Sequence, residues 1–512
     1  MMTSEATVSP AQTSREPAWP LRLAIFLVLL GSVLLAPIWL VKYPPLLDYP
    51  NHLASAFVLA HLHDPSFRFD QDYGADWGPY PYLTLDLSLL ALQRFLPVEL
   101  AGRVYLSLCV LAVPLAAWFF LRQANPGQDP QALWALLIAY NLFFLYGFLN
   151  FTLSLALCFL AVGLWLRCLT RPSLFHWCLT GVAVMAVYFT HLVGFIIAGL
   201  VITAYGALAR RKLREMIFPW LLFLPGALFY LASSRVGLHP RGIIVHGFRE
   251  KLDSLSAMLH SYSPRLDQAT VLALVIYFLA ARWRNPSFQW NSRWLGVAAL
   301  LFGAYWVIPW GYGEQSDLDI RVLPVVFVLI LATARVGRRG WRLAPLVLLL
   351  FLVRTANVAQ NFFAAQPQLS GLAQSFSVTV EHARVLPIVE ATDEDEPIRH
   401  PFAHFWAYGV IRRGWFSPYL FQAKGLMPLE VRSEAYTPDG FWDLTYKESP
   451  DWTEVQQDYD YVWAYNVPRF SPALETIGEL VYESGDLQVF RVNKSAGEEA
   501  GASSPAGDSR PR

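Results

Sequence analysis

A short polar stretch directly after the first apolar run holds the residues best suited to acid–base chemistry. It reads Tyr43-Pro-Pro-Leu-Leu-Asp48-Tyr-Pro-Asn-His52. The prolines on either side of Asp48 restrict the backbone there, and the preceding apolar run holds the carboxylate near a membrane surface. His52 follows four residues later, so a helix starting at Asn51 would turn both side chains toward one cleft. A carboxylate placed in this way can act as a general base; the alternative is that it only caps a turn.

A second group of charged residues lies far along the chain, in Gly311-Tyr-Gly-Glu314-Gln-Ser-Asp317-Leu-Asp319-Ile-Arg321-Val-Leu-Pro324. Arg321 stands where an apolar run begins, and a cation there is costly unless it binds an anion. The planar guanidinium fork suits a phosphate. We therefore take Arg321, Glu314 and Asp317 as candidate substrate-binding residues. The alternative is an internal ion pair between Arg321 and Asp317 or Asp319.

His191 is a further candidate for substrate binding. It falls between two apolar runs, in Tyr188-Phe-Thr-His-Leu. An imidazole at that junction can contact a ligand, or it can be a hydrogen-bonded packing histidine.

The elements that must position these residues are mostly membrane helices. Hydrophobic residues make up 55% of the 512 residues and charged ones 15%, and the mean hydropathy is +0.36. This composition excludes a purely water-soluble enzyme and a disordered chain. Since a bilayer core needs about 20 apolar residues per helix, we predict about eleven transmembrane helices, at Leu21–Val41, 101–121, 131–148, 150–169, 174–189, 191–209, 216–233, 269–283, 294–311, 321–336 and 341–358.

The basic residues give these spans an orientation. With the N-terminus in the cytoplasm, the inner loops hold 14 Lys and Arg residues, whereas the short outer connections near 149, 190 and 312–320 hold none. This asymmetry fits the positive-inside rule. It places the C-terminus and the long loop 42–100 outside the cytoplasm. Within that loop, the segment 81–96 carries Asp86 and Arg94 in a short apolar run, which predicts an amphipathic helix lying in the membrane interface.

Three regions lie outside the predicted 21–360 membrane module. Residues 1–20 and 496–512 read as disordered tails, the first of them cytoplasmic. Residues 361–495 carry strand-like runs at Ala383–Val389, Tyr459–Tyr465, Leu480–Tyr482 and Leu487–Val492, and Ser484-Gly485-Asp486 between the last two is a hairpin signal. The sequence therefore predicts a small extracytoplasmic α/β domain at 361–495. Its charge supports a separate environment, because residues 361–512 hold 12 basic and 22 acidic side chains while residues 1–360 hold 27 and 17.

Other site chemistries are not indicated. The four cysteines lie in or beside apolar runs with no CxxC pair, so neither a disulfide framework nor a zinc site is predicted. No cofactor is expected, since the isolated acids do not favour a divalent metal. A net charge of zero gives no sign of nucleic-acid binding.

The arrangement resembles the GT-C superfamily of polytopic glycosyltransferases, which includes aminoarabinose transferases and protein O-mannosyltransferases. Its members carry an acidic residue soon after the first span, as Asp48 is here, and amphipathic helices in the first outer loop, which 81–96 resembles. Arg321-Val-Leu-Pro324 is similar to their Arg or Tyr followed by Leu-Pro, and several members end in an outer α/β domain. Asp48-Tyr-Pro-Asn-His is closest to uncharacterised bacterial members. Tyr49 replaces the second acid of the mannosyltransferase Asp-Glu pair, and the WWDYG motif of oligosaccharyltransferases is absent.

The resemblance implies transfer of a sugar from a polyprenyl-phosphate donor to a glycan, lipid or protein acceptor at the outer face of the cell inner membrane. Asp48 would deprotonate the acceptor, and Arg321 would stabilise the phosphate leaving group. A second carboxylate, Asp70 or Asp72, would orient the acceptor. Two other classes remain open, namely a transporter or flippase of a lipid-linked or polar substrate and a non-catalytic scaffold with an outer binding domain.

Overall fold

The computed structural model describes residues 19–494 except 128–129, 234–241, 285–287, 313–314, 337, 391–400 and 443. Both predicted tails therefore fall largely or wholly outside the described residues. Helices dominate the part of the chain before residue 380. Their bounds are α1 Trp19–Trp39, α2 Tyr49–His61, α3 Leu83–Gln93, α4 Val98–Ala124, α5 Leu142–Tyr146, α6 Leu149–Thr170, α7 Leu174–Thr190, α8 Leu192–Leu208, α9 Leu213–Leu221, α10 Leu224–Ser233, α11 Phe248–Ser254, α12 Pro264–Arg284, α13 Ser292–Val307, α14 Leu323–Ala332 and α15 Ala344–Gln374.

Four described helices are long and apolar enough to cross a membrane: Val98–Ala124, Leu149–Thr170, Pro264–Trp283 and Trp341–Val378. A fifth candidate is the pair Glu215–Leu221 and Leu224–Ser233, which is bent by 42°. Each of the eleven predicted apolar runs overlaps a helix, but helix length and composition do not support eleven spans. Five of the runs form shorter apolar helices, at Ala24–Trp39, Pro130–Tyr146, Leu174–Thr190, Leu192–Leu208 and Ile320–Ala332.

One of these segments, Pro130–Tyr146, changes its helix type along its length. The run predicted at 131–148 is a 3₁₀-helix, Pro130–Ile138, followed by the five-residue helix α5. The Asn141 side chain caps α5, and Gly147 ends it with φ +82°. Glycine adopts a left-handed backbone conformation at little energetic cost, so the helix ends at this residue.

The predicted interfacial helix at 81–96 forms α3, which is 11 residues long. At about 1.5 Å per residue it is too short to cross a bilayer. Its N-terminus is tied to α6, because the Asn150 side chain accepts from the Leu85 backbone amide and donates to the Tyr82 carbonyl.

The longest helix joins the membrane-type region to the C-terminal region. The 31 residues of α15 span about 46 Å, which is more than a bilayer core requires. The predicted domain boundary at 360–361 falls inside this helix. Buried Arg354 on α15 forms an ion pair with Asp267 of α12 at 2.7 Å, so its charge is compensated.

A small sheet follows α15. Its four strands are β4 Val385–Val389, β6 Tyr461–Tyr465, β8 Leu487–Val492 and β7 Gly478–Ser484, in that spatial order. The β4 and β6 strands are parallel, and the other two pairings are antiparallel. The predicted hairpin around Gly485 is the β7–β8 turn, where Gly485 has φ +57°. Short helices accompany the sheet, at α16 Ala407–Arg413, α17 Trp452–Asp458 and α18 Ser471–Ile477.

The loop 42–100 and the C-terminal region are packed together rather than separate. Strand β1, Tyr73–Ala75, pairs antiparallel with β5, Leu429–Val431. Helix α2 lies against α16. The C-terminal region therefore contributes side chains to the surroundings of Asp48.

Candidate functional site

Asp48 occupies the N-cap position of α2, and its backbone is held firmly. Its amide donates to the Tyr146 carbonyl at 3.0 Å, and a Cβ on Gly147 would lie 2.8 Å from the Asp48 nitrogen. Pro50 in the first helical turn needs no hydrogen bond, so α2 starts at Tyr49 instead of Asn51. The Asp48 side chain makes no capping hydrogen bond and is 15% exposed, so the carboxylate stays available.

His404 is the nearest ionisable partner of Asp48, with its Nε2 atom 3.5 Å from Oδ1. The Asn51 amide has a fixed orientation, since Nδ2 donates to the Tyr419 carbonyl and Oδ1 accepts from the Phe421 amide, each at 2.8 Å. Nδ2 therefore faces His404 Nδ1 as a donor at 3.3 Å. The imidazole hydrogen then lies on Nε2, the ring atom that is nearer to Asp48. Burial lowers the pKa of His404 to about 3, so the ring is neutral at neutral pH.

The pKa of the Asp48 carboxyl is raised to about 8. Burial is the main cause, and the negative charge of Asp317 adds to it, while the positive charge of Arg321 opposes it. Residues from both polar segments of the sequence therefore act on one carboxyl group. A carboxylate with a pKa near the working pH is suited to general-base chemistry.

Arg321 is buried, and the groups in direct contact with its guanidinium are neutral. Nη2 donates to the Ser316 carbonyl at 3.0 Å, and the guanidinium lies 5.1 and 5.2 Å from the ring centroids of Phe148 and Phe151. Nη1 lies 2.7 Å from His191 Nε2. Nε is buried without a hydrogen-bond partner, and Arg321 forms no ion pair with any described residue. Such a cation has unused capacity to bind an anion.

Arg321 and His191 cannot both make their hydrogen bonds where they contact each other. His191 Nδ1 accepts from the Val193 amide at 3.1 Å as the N-cap of α8. In a neutral imidazole one nitrogen accepts a hydrogen bond and the other carries hydrogen. Because Nδ1 accepts, Nε2 carries the hydrogen and faces the Arg321 Nη1 donor. A protonated ring would instead repel the guanidinium. The Val193 amide is fixed by the helix, so its hydrogen bond to Nδ1 is kept. A bound anion would therefore relieve the unfavourable contact between His191 Nε2 and Arg321.

The acids beside Arg321 are engaged elsewhere. Asp319 forms a buried ion pair with Lys251 at 2.9 Å. Asp317 accepts from Trp310 Nε1 at 3.1 Å and from Ser316 Oγ at 3.0 Å. Burial raises the pKa of Asp317. The alternative reading of Arg321, as a partner of one of these two acids, therefore does not hold in this structure.

Several predicted site residues lie outside this cluster. Asp70 is exposed on the 3₁₀ turn Phe69–Gln71. Asp72 pairs with Arg384 at 2.8 Å and thereby joins the loop to β4. No contact among the described residues brings either acid to Asp48, because pairing of β1 with β5 directs this segment toward the sheet. Glu314 lies outside the described residues.

His52 follows Asp48 by one turn of α2 and is half-buried. Its ring centroid lies 4.9 Å from that of Phe421, and burial lowers its pKa to about 4. The His404 ring also contacts Phe421, with centroids 5.2 Å apart, so both imidazoles border the same aromatic ring. His52 therefore borders the site as a neutral hydrogen-bonding group.

Sequence reasoning missed most of the neutral groups at the site. His404 and the rings of Phe148 and Phe151 have no distinguishing motif, and only Asn51, inside Asp48-Tyr-Pro-Asn-His, stood within a segment already singled out. Within the ranges that the structure describes, no group of three or more His, Cys, Asp or Glu residues could hold a metal ion.

The chain is mostly helical, with several potential membrane spans and a small strand-containing region. Its buried site contains the Asp48 and Asp317 carboxyl groups and the Arg321 guanidinium, which influence one another electrostatically. Comparisons with protein-family models, with curated proteins and with solved structures found no match.

Proposed function

We propose that the protein is a membrane glycosyltransferase of GT-C type that moves a sugar from a polyprenyl-phosphate donor to an acceptor hydroxyl. The observation that carries the proposal is that Asp48 and Arg321 border the same turn, since the Asp48 amide donates to the Tyr146 carbonyl and the Arg321 guanidinium lies 5.1 Å from the Phe148 ring centroid. They belong to distant parts of the sequence, yet the charge of Arg321 acts on the Asp48 carboxyl. Arg321 also has an unpartnered Nε atom and no carboxylate bound to it. A general base and an anion site are the two groups that direct glycosyl transfer requires.

The transfer would be a single displacement at the anomeric carbon. The acceptor oxygen forms the new glycosidic bond while its proton passes to Asp48. The bond between the anomeric carbon and the phosphate oxygen breaks, and its electron pair leaves with the polyprenyl phosphate. Arg321 neutralises the charge that develops on this leaving group. The His404 imidazole, with Nε2 3.5 Å from Asp48 Oδ1, bounds the site on the side of the carboxylate, and no metal ion is required by this scheme.

For the membrane arrangement, we propose the topology that the sequence indicates. About eleven apolar segments cross the inner membrane, with the N-terminus inside and the C-terminal region outside. The shorter helices would then cross where the bilayer is locally thinned or as parts of bent segments, such as the α9–α10 pair with its 42° bend. Asp48 and the C-terminal sheet would lie on the outer side, where a lipid-linked donor and a water-borne acceptor can meet.

Cysteine labelling tests this orientation. In a background without native cysteines, Ser377→Cys should react with a membrane-impermeant maleimide in intact cells, because Ser377 is exposed in the C-terminal region. Arg211→Cys, at an exposed position in a basic loop, should react only after the cells are permeabilised. The reverse pattern, or labelling of both positions in intact cells, would contradict the proposed topology.

A transfer assay tests the activity itself. The purified chain in nanodiscs would be incubated with a panel of polyprenyl-phosphate sugars, and release of polyprenyl phosphate would be followed by mass spectrometry. We expect release from at least one donor by the wild-type chain, and abolition of release in Asp48→Asn. Release that does not depend on Asp48 would argue against this mechanism.

One observation favours a second candidate, a transporter of a lipid-linked anionic substrate. Broken helices near a buried charge are typical of transporters. Here the segment 130–146 changes from a 3₁₀-helix to α5, and α5 ends next to Asp48. Movement of a labelled lipid-linked sugar across proteoliposomes without cleavage of its phosphate bond would support this candidate over the transferase.

A further inference from the structure

A group of aromatic rings adjoins His404, the histidine nearest the Asp48 carboxylate. The Phe421 ring centroid lies 5.2 Å from that of His404, and the Trp442 centroid lies 5.9 Å away. Phe421 and Trp442 are stacked, with centroids 5.6 Å apart and planes inclined by 25°. The transfer step proposed above uses neither ring.

These rings are rigidly held but remain accessible. Trp442 is 45% exposed, and Phe421 is half-buried. Buried Phe441 supports Trp442 edge-on at 5.1 Å and stacks on Tyr419 at 4.1 Å. The Phe421 backbone is fixed by its hydrogen bond to the Asn51 side chain. A preorganised aromatic surface facing solvent beside a carboxyl group is a feature of binding sites more than of protein interiors.

We propose that Phe421 and Trp442 form an acceptor platform and that the acceptor is a carbohydrate, an inference that rests on the proposed function. The face of an aromatic ring is electron-rich. The C–H groups on one face of a pyranose are weakly positive and apolar, so a sugar ring stacks there while its rim hydroxyls point outward. Polar groups must then stand at the edge of the platform to receive those hydroxyls.

The required polar groups are present. His52 borders Phe421, and its imidazole makes no hydrogen bond with any described residue. The Nε2 atom of His404 lies between the platform and the Asp48 carboxylate, 3.5 Å from the latter. A sugar stacked on the platform would thus direct one hydroxyl toward the base. An acyl chain would leave these polar groups without partners.

Glycan binding tests the platform separately from catalysis. The full-length chain in nanodiscs would be applied to an array of immobilised oligosaccharides. We expect the wild type to retain a defined subset, and Trp442→Ala to lower the affinity for that subset by roughly tenfold. Trp442→Phe should recover most of the binding. Trp77→Ala, which removes an exposed tryptophan of the loop 42–100, should bind as the wild type does.

The outcomes separate this inference from the transferase proposal. The binding assay contains no polyprenyl-phosphate donor, so it measures glycan binding without turnover. Absence of glycan binding by the wild type would overturn the platform, and so would equal binding by the wild type and Trp442→Ala. Either result would leave the transfer assay as the independent test of the activity.

Discussion

Replacement of Asp48 by asparagine is expected to lower the rate of sugar transfer by about 10²–10⁴-fold, the usual contribution of a general base. The amide has nearly the same shape as the carboxyl group, so the fold around it should be kept. It cannot take the proton of the acceptor hydroxyl. The loss should therefore appear in kcat and kcat/KM, measured by release of polyprenyl phosphate, with an unchanged melting temperature.

Asp70→Asn is the matched control, because it removes an exposed carboxylate from the same loop. It should retain activity close to that of the wild type. Equal losses in Asp48→Asn and Asp70→Asn would show that the loop's overall charge, and not the position of Asp48, determines the rate.

The pH dependence of the transfer rate tests the ionisation of Asp48 independently. With a pKa of about 8, Asp48 is mostly protonated below that pH, so activity should fall as the pH is lowered through this range. Asp317→Asn removes a negative charge that raises this pKa, and the acidic limb should therefore move to lower pH. An unchanged acidic limb would show that Asp317 does not influence the pKa of the group that controls the rate.

Replacement of Arg321 by glutamine should lower transfer by about 10²–10³-fold, as the loss of a single electrostatic stabiliser does in other active sites. The variant loses the charge that would balance the leaving phosphate. The pKa of Asp48 should also rise, because the opposing positive charge is removed. Kinetic measurement across a pH series distinguishes the two effects, since only the second shifts the profile.

Arg321→Lys keeps the charge but not the planar fork, so it should be impaired less than Arg321→Gln. It also guards against misfolding, because the buried position retains a cation. Arg413→Gln is a suitable control, since that arginine pairs with Glu381 in a partly exposed ion pair. Full activity in Arg321→Gln would remove the anion site from the mechanism.

The sequence predicted local features well because they depend on near neighbours. The strand runs near 385, 461, 480 and 487 and the hairpin at Gly485 follow from alternation and turn residues, and they match the sheet. The break before α6 follows from the glycine at 147. The number of spans was less secure, because an apolar run marks burial without fixing whether its helix is continuous.

Pairing between distant segments was beyond the sequence. Asp70 or Asp72 was expected to orient the acceptor beside Asp48, yet Asp72 pairs with Arg384 and Asp70 is exposed, in a segment held by the pairing of β1 with β5. His404 gave no signal at all, because its role depends on α2 packing against α16.

The sequence by itself determined the apolar helices, the polar segments around Asp48 and Arg321, and the strands of the C-terminal region. Only the tertiary structure decided which of the charged groups share a buried site, which are consumed in ion pairs such as Lys251–Asp319, and which neutral side chains surround them. The reason is physical. Secondary structure follows from interactions a few residues apart, whereas the desolvation and charge coupling that set the pKa of Asp48 arise from segments brought together by packing.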